Sequence, residues 1–120
     1  NLIMALSYSS RWEIQQAIRQ IVEDTMAGKI LPQNISDNTL HDYLSTKDFP
    51  DPELMIRTSG EFRISNFMLY QLAYAELYFT QTRWPDFRKN DLRLAIIDYQ
   101  QRERRFGKIS EQVQAEHASL

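Results

Sequence analysis

The stretch IRTSGEFRISNF, Ile56 to Phe67, places two arginines, a glutamate, a glycine and two serines between apolar segments. A simple turn needs only Gly, Asn, Asp or Pro. The guanidinium groups of Arg57 and Arg63 suit phosphate oxygens, each giving forked, charge-assisted hydrogen bonds. Gly60 permits close backbone approach, and Ser65 carries a hydroxyl that either caps a helix or donates to phosphate. Two arginines without a matching acidic pair point to a multiply charged group such as a diphosphate. Glu61 can instead pair with either arginine, which would make the stretch a salt-bridged surface loop.

Two further features bear on the same chemistry. Glu76 heads the aromatic run ELYFT, where a charge is costly without a partner. It is either a solvated strand-end carboxylate or a magnesium ligand, since Mg2+ is held by one or two carboxylates with phosphate oxygens and water. RERRFG, residues 102–107, ends the last helical pattern. Cations there complement the helix dipole, so a solvated, capped helix end accounts for them without any ligand.

The elements that must position these residues are those of an α/β chain. Leu2 to Leu6 is an apolar run that predicts a strand covered on both faces. A helix is expected from about Arg11, with Ile14, Ala17, Ile18, Ile21 and Val22 at helical spacing and Gly28 as its stop. Ser36 is placed to cap a shorter helix carrying Leu40, Tyr43 and Leu44. ELMIRT, residues 53–58, predicts a second strand, Asn66 to Ala73 a helix beginning beside Ser65, and Glu76 to Thr80 a third strand. WPDF makes a turn, and Asn90 or Asp91 caps a final helix with Leu92, Ala95, Ile96 and Tyr99 on its buried face. This alternation predicts an α/β fold, a mostly parallel sheet flanked by helices. Arg57 then falls at the carboxyl end of a strand, where such sheets bind ligands, and Ser65 at a helix start, where free N–H groups favour phosphate.

Composition narrows the field. The chain has 120 residues, no cysteine and a net charge of -2. Disulfides, thiolate catalysis and cysteine-zinc sites are excluded. The charge argues against a nucleic-acid surface, and His41 and His117 are too far apart in sequence to suggest a metal site. No apolar run approaches the ~20 residues that span a bilayer, and a cytoplasmic location is expected. The chain opens in an apolar run without an initiator methionine, as expected of a piece of something longer.

Taken in order, SYSSRWEI, IRTSGEFRISNFMLYQLAYAELYFT, WPDF and RERRFG resemble the C-terminal half of the cis-prenyltransferases of the undecaprenyl diphosphate synthase type. The resemblance runs from about Leu2 to Gly107. It implies that residues 1–107 are the C-terminal portion of a single domain, with 108–120 a polar, frayed tail. It further implies an enzyme condensing isopentenyl diphosphate onto an allylic diphosphate, such as farnesyl diphosphate, with cis geometry. Arg57, Glu61, Arg63, Ile64 and Ser65 match its isopentenyl diphosphate site, and Glu76 a Mg2+ position at a homodimer interface. Arg105 and Gly107 match a motif that reaches the partner subunit's active site. Ser7, Ser9 and Ser10 stand where many members have Asn and a Gly pair. The family's essential aspartate and its allylic-diphosphate loop have no counterpart here, so the segment alone is expected to be inactive. Peripheral contact with a membrane fits a long lipid product. The alternatives are a non-catalytic partner subunit and an unrelated phosphate-binding module.

Overall fold

The computed structural model describes residues 1–36 and 38–102, as two compact units. The first comprises residues 1–51 and 64–72; the second comprises residues 52–63 and continues from Ala73. The elements are those of an α/β fold, with one parallel strand pair in the second unit.

In the first unit, helix α1 spans Ser10–Met26. Its leading N–H groups are satisfied by residues on either side. The Ser9 side chain accepts from the Trp12 N–H, and Asn66 accepts twice, through its carbonyl from Ser10 and through Oδ1 from Arg11, both at 3.0 Å. Past Ala27 the chain turns at Gly28, whose φ of +71° ends the helix where expected. Ala17 and Leu44, 2% and 1% exposed, are core residues of this unit, with Leu72.

Three expected elements are absent from this unit. Residues 2–6 form no strand: Leu2 is 90% and Leu6 79% exposed. A strand needs a ladder partner for its backbone groups, and the two described strands pair only with each other. The helix expected from Ser36 reduces to a single 3-10 turn, His41–Tyr43. Ser36 does not cap it; its N–H is taken by Thr39 Oγ1 at 2.8 Å and its carbonyl by the Thr39 N–H at 3.0 Å, closing a local turn. Residues 66–73 form successive turns instead of a helix. Ser65, Asn66 and Met68 all have positive φ, which an α-helix cannot hold. Their neighbours bond instead to the start of α1, including the Leu69 N–H, which donates to Ser10 Oγ at 2.9 Å.

In the second unit, β1 (Leu54–Arg57) runs parallel to β2 (Glu76–Phe79), with Leu54 opposite Glu76 and Arg57 opposite Phe79. Every position of both strands is half-buried. The sheet thus has two strands where three were expected. WPDF turns as anticipated, with a 3-10 turn at Trp84–Asp86. Helix α2 spans Lys89–Gln100, but neither Asn90 nor Asp91 is its cap. Arg88 holds that position, and Asp91, one turn in, reaches back to accept the Arg88 N–H at 2.8 Å and the Thr82 hydroxyl at 3.0 Å. Asp91 thereby supplies the acidic half of a capping box, a carboxylate at the positive helix end. Of the predicted buried face, Ala95 is fully buried and Tyr99 half-buried, while Leu92 and Ile96 are 43% and 41% exposed.

Candidate functional site

Arg57 is the last residue of β1, and its carbonyl accepts the Thr80 N–H at 2.9 Å. The chain then turns through two left-handed residues, Ser59 (φ 69°) and Gly60 (φ 67°). Their N–H groups are both consumed by the segment after β2: Ser59 donates to Thr82 O and Gly60 to Thr80 O, each at 2.9 Å. The close approach that Gly60 permits is therefore to protein. A Cβ added there would lie 2.4 Å from Gln81 Oε1. The loop is tied down by its backbone, which leaves its long side chains as the groups facing outward.

Those side chains are not equivalent. Arg63 Nη2 lies 2.6 Å from Glu61 Oε2, in a pair whose arginine is 64% exposed. Arg57 is half-buried and makes no ion pair among the described residues. The exposed Phe62 ring sits 5.2 Å from Phe79, pinning the loop between the two charged residues. A mostly apolar hollow of about 570 Å3 in the same unit is lined by Ile56, Thr58, Trp84, Phe87 and Leu92, with Arg88 and Lys89 at the start of α2. Arg57, Glu61 and Arg63 thus share one loop of the second unit. Ile64 and Ser65 belong to the first unit. There the Ile64 carbonyl accepts the Phe67 N–H at 3.3 Å, and Ser65 is exposed with φ 54°. Ser65 does not start a helix, so the expected helix dipole behind it is not formed. Arg105 and Gly107 lie outside the described residues.

Glu76 opens β2, and its carboxylate is not left to water. Arg102 Nη1 donates to Glu76 Oε2 and to the Leu77 carbonyl, both at 2.9 Å, while Nη2 lies 2.6 Å from Asp98 Oδ2. The Glu76 carboxylate raises the Arg102 guanidinium above its ordinary value, despite some opposing burial. Arg102 is the first residue of RERRFG, where a solvated helix end was the plain expectation; its i, i+4 spacing from Asp98 was the available sequence signal. Among the described residues no three His, Cys, Asp or Glu side chains gather as a metal cage. The oxygens of Glu76 and Leu77 that converge on Arg102 Nη1 are nevertheless hard donors of the kind magnesium takes. Such a pair fits an ion whose other positions are phosphate oxygens and water.

A second cluster carries no signal in the local sequence. Glu13, in SYSSRWEI, is 6% exposed and accepts from the Tyr8 hydroxyl, from the Ser45 N–H at 3.0 Å and the Ser45 hydroxyl, and from Gln71 Nε2 at 3.1 Å. Burial pushes its carboxyl up, but the hydrogen bonds from Ser45, Tyr8 and Gln71 outweigh it and hold the group below its usual 4.5. Gln71, 2% exposed, also donates to Thr46 Oγ1 at 3.0 Å. Ser45 and Gln71 lie 32 and 58 positions along the chain from Glu13, so no local pattern joins them. Their role is to join α1 to the segments around Ser45 and Gln71.

Known proteins supply the wider context. Residues 1–107 match the prenyltransferase family model described as "Putative undecaprenyl diphosphate synthase". The isoprenyl transferase of Chlorobaculum tepidum is 55% identical over 112 residues, covering 93% of this chain and 42% of that protein. The ditrans,polycis-undecaprenyl-diphosphate synthase ((2E,6E)-farnesyl-diphosphate specific) of Pseudomonas syringae pv. tomato is 49% identical, covering 95% and 45%. Lavandulyl diphosphate synthase from Lavandula x intermedia, solved with dimethylallyl diphosphate, superposes with a TM-score of 0.83 at 40% identity, covering 87% of this chain and 45% of that one. The chain thus spans less than half the length of these relatives. A match across residues 1–107, carried by sequence and fold alike, makes this chain a member of the undecaprenyl diphosphate synthase family of prenyltransferases.

Proposed function

We propose that the chain works as the C-terminal portion of a cis-prenyltransferase that condenses isopentenyl diphosphate onto an allylic diphosphate such as farnesyl diphosphate. Its contributions are the isopentenyl diphosphate site, one magnesium ligand and a homodimer contact. The observation that carries this reading is the half-buried Arg57 at the carboxyl end of β1, which makes no ion pair among the described residues and leads into a loop whose Ser59 and Gly60 N–H groups are already taken by Thr82 and Thr80. A preorganised cation at that position needs little rearrangement to receive a diphosphate. Arg63 adds a second fork once the diphosphate draws it from Glu61, and Ile64 and Ser65 are taken as substrate residues on the family resemblance. Arg105 and Gly107 reach the neighbouring subunit's site. In the reaction, the carbon–oxygen bond of the allylic diphosphate breaks and the leaving group gains negative charge, which oriented cations stabilise. Mg2+, when bound, would be held by Glu76 and would neutralise diphosphate charge.

The enzyme is proposed to act in the cytoplasm as a homodimer without nucleic acid, touching the membrane peripherally where its lipid product departs. No described helix is long and apolar enough to cross a membrane. Steady-state kinetics on a chain extended to the relatives' full length test the assignment. Arg57→Ala should raise the KM for isopentenyl diphosphate about 10- to 150-fold, the loss of a charge-assisted hydrogen bond, and leave the allylic substrate little affected. Equal loss on both substrates would overturn it.

A further inference from the structure

The Arg102 guanidinium occupies the point where the Glu76 carboxylate and the Leu77 carbonyl converge. One nitrogen, Nη1, donates to both at 2.9 Å, while Nη2 is held 2.6 Å from Asp98 Oδ2 at the preceding turn of α2. Two hard oxygens directed at one positively charged nitrogen are also the donors a divalent cation would take there. A guanidinium and a metal ion cannot share that volume, and two cations bound to one carboxylate repel each other. Asp98 gives the displaced arginine a place to remain: it keeps the Nη2 pair, an i, i+4 contact on the helix, when Nη1 lets go.

We propose that Arg102 is an internal counter-cation that competes with the divalent ion for Glu76. The inference rests on the reading of Glu76 as a metal ligand. With the site lacking a metal, Arg102 keeps the half-buried carboxylate neutralised and fixes its orientation. When the ion arrives, it takes the Glu76 oxygen and Arg102 swings to Asp98 alone. Arg102 is a positioning residue in this scheme. It sets the metal concentration at which the site fills, and it links filling to movement at the C-terminal end of α2.

A structural role and a competing role predict opposite signs. If Arg102 only held Glu76 in place, removing it would weaken metal binding. Competition predicts tighter binding. Mn2+ affinity, measured by isothermal titration calorimetry with inorganic pyrophosphate present, should rise about 10- to 100-fold in full-length Arg102→Gln and Arg102→Met, the release of a charge-assisted bond. Arg102→Lys, which restores a cation, should return affinity toward that of the unaltered protein. Equal or weaker binding in both neutral variants overturns the competition. Mn2+ binding unchanged in Glu76→Gln would show instead that Glu76 is no ligand, so the two failures are distinct. A measurement on the unaltered protein removes dependence on the variants' folding. The Arg102 side-chain NMR signal should shift on saturation with Mg2+, and a signal that stays put overturns the proposal.

Discussion

Glu61 and Arg63, two residues apart in one loop, are joined between Oε2 and Nη2 at 2.6 Å, while Arg57 at the end of the adjoining strand makes no ion pair among the described residues. Among the described residues the loop therefore carries one cation outside any ion pair, Arg57, and one paired, Arg63. An exposed pair of this kind contributes about 1 kcal/mol or less to folding. Urea denaturation of Glu61→Gln should move stability by no more than that. In full-length protein, the same substitution should leave allylic kinetics unchanged while altering the KM for isopentenyl diphosphate. A large loss of stability would mean that the pair holds the loop and is not a reservoir of charge.

Glu13 contributes acid sensitivity to the first unit, beside Asp24, whose carboxyl the Lys29 and Tyr43 hydrogen bonds also hold low. The Glu13 carboxyl is held below its usual 4.5 in the folded chain. Folding stability from this group is thus fully present above the unfolded value and is lost as pH falls through the folded one. Glu13→Ala leaves Tyr8, Ser45 and Gln71 donors without their acceptor and should cost on the order of 3 kcal/mol. Chemical denaturation across about pH 3 to 7 should show a shallower acid decline in Glu13→Gln than in the unaltered chain. An identical decline would place the acid-sensitive group elsewhere.

Gly60 combines a φ of +67° with a space closed by Gln81 Oε1, 2.4 Å from where a Cβ would sit. The contact is with the end of a flexible side chain, so the backbone strain is the lasting cost, about 1–2 kcal/mol for Gly60→Ala. Adding Gln81→Ala should relieve the clash and leave that strain. Complete recovery in the double variant, measured by urea denaturation, would show that sterics with Gln81 were the whole effect.

Arg105 tests the shared site. Full-length Arg105→Ala and Arg63→Ala should each be severely impaired as homodimers. If Arg105 acts in the neighbouring subunit, mixing the two gives heterodimers with one intact site and one doubly defective site. Activity should then rise well above either parent. No recovery, with subunit exchange confirmed, would defeat action across the dimer.

Much of the architecture was legible in the linear chain because it is encoded locally. The helical spacing from Ile14 to Val22, the stop at Gly28, the WPDF turn and the β runs at 54–57 and 76–79 each depend on neighbours a few residues away. So does the placement of Arg57 at a strand's carboxyl end, which follows once ELMIRT is read as a strand. The failures share the opposite cause. Residues 66–73 have helical composition, yet Asn66 and Leu69 are drawn to the open N-terminus of α1, more than fifty positions away. Residues 2–6 have a strand's composition but no ladder partner among the described strands. The distant pairings were equally beyond local pattern: Arg102 takes Glu76, and Glu13 collects donors from Ser45 and Gln71, whereas Glu61 with Arg63 and Asp98 with Arg102 are close enough in sequence to be anticipated. Residue type and spacing determined the elements and the charges they carry. Tertiary structure decided the pairings, because hydrogen bonds and ion pairs act over about 3 Å in space, however far apart their partners lie along the chain.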